Sequence, residues 1–134
     1  MMCIVKNCKK FDEGIISLKE KEYSILIRDD IKAFLKQNSG GDPIKGIISI
    51  HGDNYELRNF LSVNKEDEYF GIEKPMNYFL TNTKGKIVPI GLDSGDNYYC
   101  VNNETGKVYY WSAEENQYYC LTDSLEEFVK LFHE

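Results

Sequence analysis

Three tyrosine pairs recur at nearly even spacing in the last third of this chain: Tyr98-Tyr99, Tyr109-Tyr110 and Tyr118-Tyr119. Each lies in a short apolar run, at residues 98–101, 108–111 and 118–121. The runs are separated by Asn102-Asn103-Glu104-Thr105-Gly106 and by the polar residues 112–117. β-Favouring aromatics alternating with Gly/Asn-rich connections predict an antiparallel meander. Successive side chains of a strand point to opposite faces, so both members of a pair cannot enter the core. Half of the tyrosines are therefore expected on the outer face. Opposite tyrosines on neighbouring strands stand about 5 Å apart at Cβ and can stack into ladders. A ribbon of partly exposed tyrosines suits a binding surface.

The acidity of the chain sits in the same segment. Residues 93–134 hold nine acids (Asp93, Asp96, Glu104, Glu114, Glu115, Asp123, Glu126, Glu127 and Glu134) against Lys107 and Lys130, a net −7, while residues 1–92 carry +1. Such a field repels nucleic acid and anionic membrane and attracts basic protein surfaces. A solvated face that only aids solubility is the alternative, and charge alone leaves both open.

A length of 134 residues suits one domain, and 42% apolar and 13% aromatic content exclude a disordered chain. No apolar run approaches the roughly 20 residues that span a bilayer. The stretch Cys3-Ile4-Val5 is too short for the core of a signal peptide, so a cytoplasmic location is expected. Cys3 and Cys8 lack a second pair at zinc spacing. Cys100 and Cys120 fall on the first and third strands of the expected meander, about 9–10 Å apart and beyond disulfide reach. All four cysteines are read as free thiols.

Residues 28–38 form the best helix of the first half, with Ile27, Ile31, Phe34 and Leu35 on one face. Gly40 and Gly41 should stop it, one of them at positive φ. Residues 17–23 could add a helical turn or two. Strands are expected at 45–51 and 55–63, turning at Asp53-Asn54, and short helices at 65–70 and around 75–80. Residues 86–92 read as a strand with Val88, Ile90 and Leu92 on one face. Pro89 in it favours an edge position or a short entry strand. A final helix is signalled by Asp123 or Ser124 with Glu126 or Glu127 three residues on, then Leu125, Phe128, Val129 and Phe132. The expected fold is α+β: a single domain with an antiparallel sheet covered by helices on one face. Trp111 is expected in the core, beneath Phe128 and Phe132, with one partner for its N–H.

Catalytic patterns are missing. A histidine-based site would rest on His51, since His133 adjoins the chain end. Gly91-Leu92-Asp93-Ser94-Gly95 places its serine one position late for a nucleophile elbow. Asp93 to Asn97, with Glu104 at the twelfth position, lacks the third ligand and the sixth-position glycine of a calcium loop. No phosphate loop or dinucleotide fingerprint occurs. The sequence points to no enzyme, no cofactor and no metal. A small-ligand site would have Asp93, Asp96 and His51 to work with.

Four segments in order resemble the SUKH superfamily. Residues 34–41, ending in the double glycine, match its helix-then-glycine signature, and residues 89–96 lead into Tyr99-Cys100-Val101. Gly106-Lys107-Val108-Tyr109-Tyr110-Trp111 is similar to its following strand, and residues 121–132 to its closing helix. The likeness runs from about residue 29 to 132. Arg28 stands where the family usually has a proline, and the helix before it looks short. The resemblance implies one non-catalytic α+β binding domain over residues 1–134. Bacterial members are typically immunity proteins (antitoxins) that neutralise a cognate toxin, often a nuclease, of polymorphic or contact-dependent systems. A eukaryotic branch regulates cell-wall assembly. Fourteen lysines against two arginines suit an AT-rich bacterial genome and the immunity branch. A regulatory or scaffold module of the same fold is the alternative. The expected partner surface comprises Asp93, Asp96, Tyr98, Glu104, Tyr109, Glu114, Glu115 and Tyr118, facing a basic protein toxin, with no nucleic acid and no membrane. Gly40, Gly41, Trp111 and Phe128 are expected to be structural.

Overall fold

The computed structural model of the chain describes residues 4–133. Its elements run β1 (Val5–Lys6), α1 (Glu13–Tyr23), α2 (Asp29–Asn38), β2 (Asp42–Pro43), β3 (Ile47–Ile50), β4 (Asp53–Glu56), β5 (Asn59–Phe60), α3 (Glu73–Thr83), β6 (Ile87–Leu92), β7 (Tyr98–Asn102), β8 (Val108–Ser112), β9 (Gln117–Thr122) and α4 (Leu125–Lys130). Five strands form an antiparallel sheet in the order β5-β6-β7-β8-β9; β1-β2 and β3-β4 make separate two-stranded sheets. The class is α+β, and the three tyrosine runs form the meander β7-β8-β9.

Register sorts the tyrosines into two ladders. Tyr99 lies opposite Tyr110, which lies opposite Tyr119; Tyr98 lies opposite Trp111, which lies opposite Tyr118. The first ladder faces the main core, where Tyr99 is fully buried against Phe128. That core is closed by Ile31, Phe34 and Leu35 of α2 and by Leu125, Phe128 and Val129 of α4, with Phe132 just beyond. Phe34 meets Phe60 edge-on at 5.4 Å, and Phe128 meets Phe132 at 5.3 Å. The α4 cap forms as its sequence signals: Ser124 accepts from Glu127 N–H, and Glu127 reaches back to Asp123 N–H.

The covering is two-sided, where helices on one face were expected. α3 sends Met76 and Leu80 into the main core, but Phe79 joins a second cluster with Ile87, Cys100 and Trp111. By alternation these strand residues lie on the opposite face from Tyr99 and Tyr110. Trp111 is therefore core, 8% exposed, but its cover is α3 and not the final helix. Its ring lies 5.1 Å from Phe79 and 5.7 Å from Tyr78, and its N–H donates to Asn116 Oδ1 at 3.1 Å.

Other expectations need correction. The first hairpin turns at His51-Gly52, both at positive φ (53° and 85°), and Asp53-Asn54 begin β4. This pair of left-handed residues matches the right-handed strand twist of a two-residue hairpin. The run at 55–63 splits, because β4 pairs with β3 whereas β5 pairs with β6. No helix forms over 65–70. Asn64 Oδ1 accepts from Glu66 N–H, and Asp67 Oδ1 from Tyr69 and Phe70 N–H, so side chains take the donors a helix would use. α1 starts earlier than expected, capped by Asp12, whose side chain accepts from Gly14 N–H. β6 is an inner strand despite Pro89. β5 reaches only Leu92 and Gly91, so no ladder partner stands opposite Pro89 on that side. All six of its residues are buried, with α3 packed against the strand, and register shifts between Pro89 and Gly91.

The double glycine sits where chain segments converge. Gly40 takes φ 65° after α2, and its N–H donates to Leu61 O. Gly41 is needed for close approach, since a Cβ there would lie 2.5 Å from Val5 Cβ. Cys100 and Cys120 are free thiols, with Tyr109 standing between them across the strands; Cys3 lies outside the described residues.

Candidate partner-binding surface

The meander has two ends. Strand direction alternates, so the β6–β7 and β8–β9 turns lie together at one end, and the β7–β8 turn lies at the other. Asp96, Glu114 and Glu115 are exposed and share the first end. Glu104 is exposed at the second end, a five-residue strand or about 17 Å away. The eight residues singled out from sequence therefore do not converge on one patch.

Asp93 is a structural residue. It is 9% exposed, and its Oδ1 accepts from Gly95 and Asn97 N–H, both at 2.9 Å. Its Oδ2 accepts from Tyr110 O–H at 2.6 Å and from Asn97 Nδ2 at 3.0 Å. A carboxylate offers about four lone-pair sites, so little remains for a partner. The same turn is pinned outward: Ser94 N–H donates to Glu56 Oε1 at 3.0 Å, and Ala113 N–H donates to Asn97 Oδ1 at 2.8 Å. The Ser94 hydroxyl, which also donates to Glu56, and then the Ser94 N–H hold the Glu56 carboxyl below its usual range. The segment that superficially resembled a calcium loop or nucleophile elbow is thus a side-chain-stapled turn joining the hairpin to the meander.

The tyrosines also divide. Tyr98 is half-buried, with Phe79 at 5.5 Å and Trp111 at 6.3 Å, so α3 covers much of it. Tyr109 is half-exposed and meets Tyr118 edge-on at 6.2 Å. Tyr118 and Tyr119 are each 38% exposed. Both members of this pair are accessible because β9 is the last strand and has no neighbour on its outer side among the described residues. Tyr119 O–H donates to Glu115 Oε1 at 2.8 Å, which presents ring and carboxylate as one unit. Partial burial pushes the Tyr118 phenol up to about 12.

Sequence reasoning missed Tyr119 and Tyr78. Tyr78 is 49% exposed on α3, with its ring against Trp111, and it extends the aromatic face. Its signal lay in the helical period: Met76, Phe79 and Leu80 face inward and leave Tyr78 outside. A shallow groove of about 350 Å³ runs there between Pro75, Tyr78, Tyr98, Trp111 and Asp96, with Lys74 at its rim.

Electrostatics single out the β8–β9 corner. The ion pairs among the described residues, Lys19–Glu22, Arg28–Asp30 and Lys32–Glu20, all lie in the N-terminal helical region. Among the described residues, no acid of the meander joins an ion pair. His51 is exposed in its hairpin turn. Among the described residues no group of three His, Cys, Asp or Glu could hold a metal ion, and no helix is long and apolar enough to cross a membrane.

The meander, the double glycine after α2 and the capped closing helix are thus arranged in the order the sequence suggested. No curated protein gives a significant match to the chain. The model of the SMI1 / KNR4 family (SUKH-1) matches residues 10–131, nearly the whole length, and the chain belongs to this family of the SUKH superfamily.

Proposed function

We propose that this protein is a non-catalytic immunity protein that binds and neutralises a cognate, basic protein toxin through the β8–β9 corner. The observation that carries this reading is the coincidence, at and beside the β9 edge of the sheet, of half-exposed Tyr109 and exposed Tyr118 and Tyr119 with Asp96, Glu114 and Glu115 free of ion pairs among the described residues. Tyrosine gives large contact area at low entropy cost, and unpaired carboxylates around it can meet lysine or arginine of a partner. Membership of a family with toxin-neutralising bacterial members supports the same reading. Asp93 and Glu104 are outside this proposed surface, the first because its carboxylate is used internally and the second because it sits at the far end.

Long-range attraction to such a corner speeds association and is screened by salt. The test is the triple variant D96K/E114K/E115K with the C-terminal domain of the protein that the neighbouring gene encodes, scored by survival on co-expression and by association kinetics. The expected outcome is association slowed about tenfold or more at low salt, with the salt dependence flattened. Unchanged rate and unchanged salt dependence would remove this surface. If no such domain is bound or neutralised by the wild-type protein, a regulatory or scaffold role replaces immunity.

A further inference from the structure

We propose that the outer edge of β9 takes up a β-strand from a basic protein partner, extending the five-stranded sheet to six. This rests on the reading of the β8–β9 corner as the partner-binding surface and specifies how binding occurs there. β9 ends the sheet, with β8 on one side and no strand on the other among the described residues. In an antiparallel edge strand every second residue points its N–H and C=O away from the sheet, where another chain can pair with them.

Folded proteins usually blunt such edges with lysine, proline, very short strands or covering segments. The opposite edge of this sheet follows that practice. β5 is two residues long, both buried, and Phe60 N–H donates to Gly41 O. β9 is six residues long and contains neither lysine nor proline, and Gln117, Tyr118, Tyr119 and Cys120 are all exposed. Register skips Leu121, since Val108 pairs with Thr122 and Tyr109 with Cys120. The resulting bulge interrupts the C-terminal end and leaves residues 117–120 as the regularly paired, exposed stretch.

Charge selects the occupant. Asp96, Glu114 and Glu115 stand exposed near the start of β9, and Asp123, Glu126 and Glu127 follow its end; Lys107 and Lys130 offset part of the charge at that far end. A second copy of this chain would bring like-charged turns together along the new seam, which is unfavourable. A strand carrying lysine or arginine meets complementary charge at both ends, and its outward side chains gain Tyr118 on one face and Tyr119 on the other.

The experiment is an amide-resolved NMR titration of the wild-type protein with three synthetic peptides. One alternates lysine and valine, one has the same charge with proline at the valine positions, and one alternates glutamate and valine. The expected result is that the lysine–valine peptide shifts residues 117–120 and slows their amide exchange, while the proline peptide binds at least tenfold more weakly. Equal binding by the proline peptide would show charge attraction alone and overturn the proposal. So would perturbation centred away from β9, or self-association through β9 seen in sedimentation of the protein by itself. If these peptides fail while D96K/E114K/E115K still abolishes toxin binding, strand addition falls and the corner as partner surface stands.

Discussion

The same dipeptide, Tyr-Tyr, opens β7 and lies in β9 of one sheet, and its environment differs sharply. In β7 Tyr99 is fully buried and Tyr98 is half-buried, whereas in β9 Tyr118 and Tyr119 are equally exposed, each at 38%. Both strands carry the same aromatic pair, so intrinsic preference does not separate them. Position does. β7 is inner, with α4 over one face and Phe79 of α3 over the other; β9 is the edge strand, with β8 beside it on one side only among the described residues. Burial in this sheet follows from what covers a strand, and that leaves the uncovered strand available for recognition.

The largest expected effect breaks the comparison by removing one member of the pair in each strand. Tyr99→Ala should cost about 3–5 kcal/mol, because it opens a cavity beside Phe128 and removes the hydroxyl that donates to Glu56 O. Tyr119→Ala should stay within about 0.5 kcal/mol, as for a surface position. Urea unfolding followed by Trp111 fluorescence measures both. Equal losses would mean that β9 is covered in solution.

The next effect tests the cover itself. Phe79→Ala should cost about 3 kcal/mol and make the face around Trp111 resemble that of β9. The native fluorescence maximum should then shift to the red. A stability loss without such a shift would mean that Tyr78 alone shields the indole.

The smallest effect at neutral pH is the titration of the tyrosines, and it sharpens the contrast between core and edge. Burial holds the Tyr99 and Tyr110 phenols well above their ordinary value of 10, while the exposed edge residue Tyr119 is raised mainly by its hydrogen bond to Glu115. A phenol with a raised folded pKa stabilises the fold fully below the unfolded value. That stability is lost as pH rises above about 10 toward the folded value. Stability should therefore decline on the alkaline side, and Tyr99→Phe should flatten the decline more than Tyr119→Phe. Unfolding midpoints measured from pH 8 to pH 11.5 check the order.

The readable parts of the sequence were those governed by local chemistry. The tyrosine runs with their Asn/Gly connections, the 27–35 stripe of α2, the positive φ after it and the Ser124 cap were all visible. What escaped notice depended on distant neighbours. Nothing in Tyr55 to Phe60 marks the point where the chain leaves one sheet for another. The placement of Trp111 depended on which face α3 would take. The helix expected over 65–70 gave way to Asn64 and Asp67, whose short side chains bind nearby N–H groups instead. For the site, composition identified the tyrosine–acid segment, but the alternation of turns between two ends separates Glu104 from Glu114 and Glu115, and buried hydrogen bonding removes Asp93.

Arg28 departs from the proline usual at its position, and its contacts explain what the arginine does. Its backbone N–H donates to Asn103 Oδ1 at 2.9 Å, its guanidinium donates to Glu104 O at 2.9 Å, and Asn103 Nδ2 returns a bond to Leu26 O at 2.9 Å. A proline at position 28 has no N–H to give, so Asn103 Oδ1 would lose its donor, and the loss of the guanidinium would free the Glu104 carbonyl. Positions 28 and 103, 75 apart in the chain, thus depend on one another in this structure. The β7–β8 turn of the meander is tethered to the start of α2, so a change at Arg28 acts on a loop that is distant in sequence.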